Sequence, residues 1–438
     1  ISLARFVTDN NSFQYTSSTG EPVSGFDPGH ISLSSLEIMI DSAYNRGSDI
    51  SAVIGSLAFE ERSGIKVEDL RGRLAMDSTG ISIDGLKRQT ARSNIQIDAR
   101  AGSGITGMLP ETPVSLKLGS SIHTDDIFIF YNAQQNVRAT LADQYLSVNA
   151  DTEGTVGELD INSLMVELPR RILFNADGVL RSVTSPDKIN GNIRFDGTFR
   201  DIGFIKLMIP DTTTRNRIGF PSNMSMQGRA AIDGKVYSPE LALLADSGRI
   251  DLKGRIDLGA ETYDASMKAN DFPLYKFLPS DSLGYATLSL YAEGHSFDPR
   301  KDGASADISL TVERFDYRSY PHTGLSLDAL LADHKVTGTL ASTSQAARFD
   351  FDLTGIISQQ EYTGRLAGRI DTLDLQQMHL SATPLAAGIV LDVNASLRSD
   401  STFSVDAALD SVRIAYGEQR QFIRSATIEA DANRGQVW

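Results

Sequence analysis

The chain has 438 residues, 41 Lys and Arg against 56 Asp and Glu for a net charge of -15, and no cysteine. Without thiols it forms no disulfide framework, thiolate metal site or cysteine nucleophile, and its acidic balance argues against nucleic acid, which concentrated Lys and Arg recognise. With 41% hydrophobic and 22% charged residues the composition is globular, so a large apolar surface has to be covered somewhere.

Taken from the N-terminus, the pattern is strand after strand. Ile95 to Ala99 reads as a strand, and Gly102-Ser-Gly-Ile-Thr-Gly107 after it has the G-x-G-x-x-G spacing of a dinucleotide site. That site needs a helix to begin at the glycines, and Met108-Leu-Pro-Glu-Thr-Pro113 does not make one. A turn is expected there. The adjacent acids Glu60-Glu61 and Asp125-Asp126 would point to opposite faces of a strand and read as solvated charge. Four segments break the alternation: Asp160–Pro169, Ile202–Pro210, Phe272–Pro279 and Leu373–Leu380. Each is expected to be either a short helix at a sheet edge or a strand ended by proline.

Alternation is clearest in the second half. Ile250, Leu252, Gly254, Ile256 and Leu258 oppose Arg249, Asp251, Lys253, Arg255 and Asp257. Leu288 and Leu290 continue the apolar set. Ile308, Leu310 and Val312 oppose Asp307, Ser309, Thr311 and Glu313, while Phe349, Phe351 and Leu353 oppose Arg348, Asp350 and Asp352. Ile389, Leu391 and Val393 oppose Asp392 and Asn394, and Phe403, Val405, Ala407 and Leu409 oppose Ser404, Asp406 and Asp410. A period of two means strands that are dry on one face and wet on the other. Asp-Gly or Asn-Gly pairs beginning at Asp84, Asp177, Asn190, Asp196, Asp233 and Asp302 are expected to supply the positive φ of tight hairpins.

Gly-Arg-Ile-Asp occurs at Gly248, Gly254 and Gly368. Arg249-Ile-Asp-Leu and Arg348-Phe-Asp-Phe, like Tyr263 and Tyr362, stand 99 positions apart, as a duplicated strand-turn-strand-short-helix unit would place them. The six histidines, at 30, 123, 295, 322, 334 and 379, lack metal-ligand spacing and read as solvated or turn residues. No P-loop and no nucleophile elbow is present. Asp350-x-Asp352 lacks the remaining ligands of a calcium loop. No enzymatic activity, cofactor or metal is expected. No run of about 18 uncharged apolar residues spans a membrane; the nearest, Leu380–Leu391, is short and contains Pro384.

At roughly 10 to 14 residues per strand and turn the chain holds about 30 strands, more than an open twisted sheet carries without curling or splitting. Folded on itself, the apolar face becomes core; curled into a trough, it lines a cavity that apolar chains can fill. The alternation allows both.

Gly-Arg-Ile-Asp strand starts, the closing turn Asp271-Phe-Pro-Leu274, and the ordered runs Tyr44-Asn-Arg-Gly47, Glu61-Arg-Ser-Gly64, Asp69-Leu-Arg-Gly-Arg-Leu74 and Thr90-Ala-Arg-Ser-Asn94 resemble the AsmA-like superfamily, most closely its TamB branch from Bacteroidota. The resemblance covers most of residues 31–434. It implies an all-β fold: a long twisted antiparallel sheet curled into an elongated hydrophobic groove, with a few short helices at its edges. It also implies periplasmic localisation and an inner-membrane anchor absent from this sequence. The outer-membrane β-barrel partner would be met through a C-terminal region not evident here. The expected function is a passive, bridge-like conduit for phospholipid between the two membranes. The expected groove residues are Ile250, Leu252, Ile256, Leu258, Leu288, Leu290, Ile308, Leu310, Val312, Phe349, Phe351, Leu353, Ile389, Leu391 and Val393. The alternative is a scaffold for outer-membrane protein assembly through sheet-edge pairing. A β-solenoid adhesin is disfavoured by irregular turn spacing. Residues 1–438 are read as one continuous segment of a longer anchored protein, with a soft boundary near 212–221.

Overall fold

The computed structural model describes every residue except 18–20, 22, 24, 104–107, 131–133, 399–401, 434, 435 and 438. It divides into two compact units: unit 1 is Ile1–Arg215 with Ser222–Gly234, and unit 2 is Asn216–Pro221 with Lys235–Trp438. Residues 216–221, inside the stretch marked as a soft boundary, therefore belong with unit 2, and the main division falls after Gly234.

Unit 1 contains β1 (Ser2–Leu3), β2 (Phe6–Thr16), β3 (His30–Arg46), β4 (Asp49–Glu61), β5 (Lys66–Val67), β6 (Asp69–Asp77), β7 (Gly80–Gln89), β8 (Asn94–Ala101) and β9 (Pro113–His123). Helices α1 (Thr124–Phe130) and α2 (Gln135–Thr140) follow, and then β10 (Tyr145–Thr155), β11 (Glu158–Leu168), β12 (Ile172–Arg181), β13 (Asn190–Arg200) and β14 (Asn223–Asp233). A further helix, α3 (Thr212–Arg217), precedes β14. Unit 2 contains β15 (Val236–Ala245), β16 (Gly248–Asp257), β17 (Thr262–Pro273), helix α4 (Leu274–Phe277), β18 (Leu283–His295), β19 (Ser305–Tyr317) and β20 (Tyr320–His322). It continues with β21 (Leu325–Ala332), β22 (Lys335–Thr343), β23 (Ala347–Ile357), β24 (Glu361–Asp374), β25 (Leu385–Arg398), β26 (Phe403–Tyr416), β27 (Gln419–Asn433) and β28 (Gln436–Val437).

The fold is all-β and antiparallel, as the period of two predicted. In each unit successive strands are hydrogen-bonded neighbours, apart from short strands such as β5 and β20 that share a partner with the next one. Among the described residues the last strand of neither unit pairs with its first, so neither sheet closes into a barrel.

The interrupting segments divide. Phe272–Pro279 contains α4, and Ile202–Pro210 contains a 3-10 helix at Gly203–Met208. Leu373–Leu380 begins with the last two residues of β24 and continues as hydrogen-bonded turns over 375–379, in which the Met378 N–H donates to the Asp374 carbonyl at 3.1 Å. Asp160–Pro169 takes the other expected form, a strand ended by proline: it runs in β11 to Leu168, with a bulge between Ile161 and Leu164 that disturbs the alternation, and Pro169 follows in a turn. Helices α1 to α3 have no distinct sequence signal, being too short to show a 3.6-residue period.

The Asp-Gly expectation holds at two of the six pairs: Gly234 and Gly303, after Asp233 and Asp302, lie in turns at φ +56° and +76°. Asp84, Asp177, Asn190 and Asp196 lie within strands, not in hairpin turns. Gly178 and Gly191 face the neighbouring backbone at φ +153° and +156°, and a Cβ on either would stand 2.1 and 2.0 Å from the Asn192 and Val179 carbonyl oxygens. The glycines serve close strand approach. Two-residue hairpins are also made without glycine by Arg318-Ser319 and Asp333-His334, with φ of +49° and +62°, and +49° and +65°.

Fully buried apolar side chains gather where irregular segments cover strand ends. In unit 2, Ala245, Ala269 and Phe272 pack with Leu274 and Phe277 of the α4 region, and Ala346, Ala347 and Met378 pack with Phe349 and Leu373. In unit 1 Phe128, Val137, Ile202 and Phe204 are buried. The 99-residue repeat is visible in this arrangement: β16–β17 is followed by α4, and β23–β24 by the Leu375–His379 turns.

Candidate functional site

Antiparallel register places directly opposed residues on the same face, so the sheet of unit 2 can be followed row by row. Leu241, Leu252, Met267, Leu290, Leu310, Leu327, Leu340, Phe351, Gly368, Leu391, Leu409 and Ala426 are successive cross-strand partners. One step along, Gly254, Ala265, Ala292, Ile308, Ala329, Gly338, Leu353, Leu366, Val393, Ala407 and Ile428 form a second row. Toward the α4 margin runs Ile250, Ala269, Leu288, Val312, Leu325, Ser342, Phe349, Ile370 and Ile389. Toward the opposite margin run Ile256, Tyr263, Gly294, Ala306, Leu331, Val336, Gly355, Gly364, Ala395 and Val405.

Fourteen of the fifteen expected groove residues therefore share one face of one sheet. The exception is Leu258, which lies in the turn beyond β16 and is 53% exposed. Its parity matches Ile256, but the strand ends before it.

The reverse face carries the charges. Arg365 donates from Nε and Nη2 to both oxygens of Asp392 at 2.8 and 2.6 Å, across β24 and β25. Arg249 grips Asp251 in the same two-point manner. Tyr291 donates to Glu293, whose carboxylate pushes the phenol up to about 12. Asp350 and Asp352 lie on this face, opposite Arg369 and Ala367. Among the described residues no group of three or more His, Asp or Glu side chains is placed to hold a metal ion.

The apolar rows are only half-buried. Val312 at 4%, Leu331 at 8% and Phe351 at 8% are sealed, but most of their neighbours keep contact with solvent. The chain exposes 25782 Å² in total. A compact monomer of 47.5 kDa exposes roughly 16,000 Å², and two separate compact bodies of half that mass expose roughly 20,000 Å² together. The excess is what sheets lacking a second layer over their apolar rows produce.

One margin of the face in unit 2 forms a cavity of about 630 Å³ lined by Ile256, Tyr263, Phe297, Ala306, Ile308, Leu331, Val336 and Ile357. Its wall is the loop between β18 and β19. Phe297 stacks on Tyr263 at 6.0 Å between ring centroids, and the Tyr263 ring lies over Gly294, where a Cβ would meet its hydroxyl at 2.5 Å. Several polar contacts tether the loop. The Ser296 N–H donates to the Glu261 carbonyl at 2.7 Å, Lys301 reaches both Glu261 carboxylate oxygens at 2.9 Å, and Arg300 holds Asp298 down at about 2. His334 lies 2.9 Å from Asp302 through Nε2 and 3.0 Å from the Ile357 carbonyl through Nδ1. Both of these neighbours accept hydrogen bonds, so they favour the doubly protonated ring, and its pKa is raised.

Unit 1 presents a matching face that the expected groove residues did not include. Ala52, Leu74, Ile83, Ala99, Leu116, Thr152, Ile161, Gly178, Ile193 and Ala230 form one row. Ile97, Leu118, Ala150, Leu164, Ala176, Phe195 and Gly228 form another. The signal was in the sequence, since Ile81 and Ile83 alternate with Ser82 and Asp84, but bulges in β7 and β11 shift its phase.

Some residues read as solvated are not. Glu61 is 5% exposed and accepts from the Ser63 and Ser32 amides at 2.7 and 3.3 Å. His123 is 2% exposed. Asp125 and Asp126 open α1 and do not lie on a strand. Of the G-x-G-x-x-G segment, residues 104–107 lie outside the described residues; Gly102 donates to the Pro113 carbonyl at 2.8 Å, and no helix begins at the described residues that follow. No family model, curated protein or solved structure matches the chain.

Proposed function

We propose that this protein holds lipid acyl chains on its apolar faces and acts as a passive, bridge-like conduit for phospholipid between inner and outer membranes in the periplasm. The observation that carries the reading is the register. Apolar residue meets apolar residue across twelve paired strands, from Leu241 to Ala426, yet the rows keep solvent contact. Burying a methylene is worth about 0.8 kcal/mol, so a chain laid on these rows gains about as much at one position as at the next. Near-uniform Leu, Ile, Ala and Val rows offer no deep well. Headgroups stay in water at the open side, and no nucleotide or metal takes part. The AsmA-like resemblance supports an inner-membrane anchor and an outer-membrane β-barrel partner beyond this segment.

The test is lipid extracted from the purified protein and identified by mass spectrometry, together with transfer of fluorescent phospholipid between two vesicle populations. Lipid in the extract, and transfer lost in the folded double variant Leu310→Asp, Leu327→Asp, is the expected result. A lipid-free protein whose variant transfers normally overturns it. Crosslinks to a client strand in place of lipid would favour the assembly scaffold.

A further inference from the structure

In the rows traced above, and in the neighbouring row Leu70, Arg88, Ile95, Ser120, Val148, Val166, Phe174, Gly197 and Met226, a single side chain carries charge: Arg88. It lines a cavity of about 230 Å³ in unit 1 with Ile95, Ile122, Ile127 and Phe130, closed on its polar side by Thr90, Ser93 and Asp126. Its Nε is shielded from solvent and has no hydrogen-bond partner. Among the described residues the guanidinium has no ion pair, although almost every other buried polar group in a folded protein is satisfied.

The carboxylate that lines the cavity, Asp126, is engaged elsewhere. Asp126 accepts from the Thr90 and Ser93 hydroxyls at 2.9 and 2.5 Å. Its field does not offset the loss of solvent at Arg88, whose guanidinium burial pushes down. A half-buried cation bordered by apolar rows suits an acyl chain ending in an anion.

We propose that Arg88 binds the anionic head, phosphate or carboxylate, of an acyl-chain amphiphile whose tail lies along Ile95 and Ile122. This deepens the lipid reading and rests on it: the face would have a polar terminus at which the head is held while the chain occupies the rows. The guanidinium donates two hydrogen bonds to one head in a planar fork, and Phe130, 57% exposed, lines the same cavity.

The test uses the whole chain and three probes: cis-parinaric acid, its methyl ester, and inorganic phosphate. Arg88→Met keeps the aliphatic stem and removes the charge, while Arg88→Lys keeps the charge and loses the fork. The acid is expected to bind wild type about tenfold or more tighter than it binds Arg88→Met, the scale of a hydrogen bond to a charged group. Arg88→Lys is expected to fall between them, and the ester to bind all three proteins alike. Far-ultraviolet circular dichroism establishes that the variants are folded. If the ester binds but the acid is indifferent to Arg88→Met, the Arg88 proposal fails and the lipid reading stands. If neither chain binds wild type, both fail. If inorganic phosphate alone binds as tightly as the acid, the site is one for free anions and the amphiphile proposal is overturned.

Discussion

Leu310 discriminates between an open apolar face and a closed core. It sits in mid-strand on β19, opposite Leu290 and Leu327, and is half-buried. Fully burying a leucine is worth about 1.5–3 kcal/mol, so half of that, about 1 to 1.5 kcal/mol, is lost in Leu310→Asp. Losing two cross-strand pairs adds roughly 0.2–1 kcal/mol each. The total is about 1–3.5 kcal/mol, with the new carboxylate still reaching water. In a sealed core the same substitution leaves an unpaired charge without solvent, and the cost passes about 5 kcal/mol. Native-state hydrogen exchange at β19 amides reads the opening free energy directly. A loss of about 1–3.5 kcal/mol in a folded protein, with binding of cis-parinaric methyl ester weakened more than tenfold, is the expected pair of results. Global unfolding, or a loss above about 5 kcal/mol, would refute an open face. Phe351, at 8% exposure, is a poorer probe because its removal damages the fold as well.

Three further outcomes follow from the geometry. His334 bridges Asp302 and the Ile357 carbonyl, and its pKa is raised from 6.5; the tether is therefore complete below about pH 6.5 and is lost as pH rises through the raised value. Exchange of amides in residues 296–304, corrected for intrinsic rate, should quicken from pH 6 to pH 8 in wild type and lose that dependence in His334→Gln; an unchanged dependence counts against the tether. Gly191→Ala places a Cβ 2.0 Å from the Val179 oxygen at φ +156° and should cost about 2–3 kcal/mol, whereas Gly364→Ala, with nothing within 4 Å, should stay within about 0.5 kcal/mol; equal urea midpoints would contradict this. Arg365→Gln breaks the two-point contact with Asp392, but both side chains are largely solvated, so thermal unfolding should register no more than about 1 kcal/mol.

The sheet and its dry face were legible because each rests on a local rule. Ile308, Leu310 and Val312 alternate with Asp307, Ser309 and Thr311, and alternation fixes facing whatever the strand pairs with. Register was not legible: that Leu310 opposes Leu290 and Leu327 depends on turn lengths and bulges, and a one-residue slip would have reversed every facing. The hairpins show why turn residues misled. Asp333-His334 reaches positive φ because closing β21 onto β22 requires it, while Gly178 and Gly191 are glycines because strands approach closely there. Asp126 and Glu61 were misread because they bond to groups about thirty residues away, the Ser93 hydroxyl in the turn before β8 and the Ser32 amide in β3.

Arg88 escaped for the opposite reason. In sequence it follows Lys87 and precedes Gln89, so it looks like one more charge on an edge. The bulge between Ile83 and Leu86 shifts the phase of β7 by one position and turns Arg88 onto the face that Ile81 and Ile83 began. Without that bulge its guanidinium would lie on the wet face, beside charges such as those of Arg73 and Asp84. A bulge costs regular ladder bonds and persists where it re-aims a side chain, so the irregularity that obscured the pattern is what places the cation at the apolar rows. The uniform rows suit a chain that slides, and the single off-phase residue suits a head that stops.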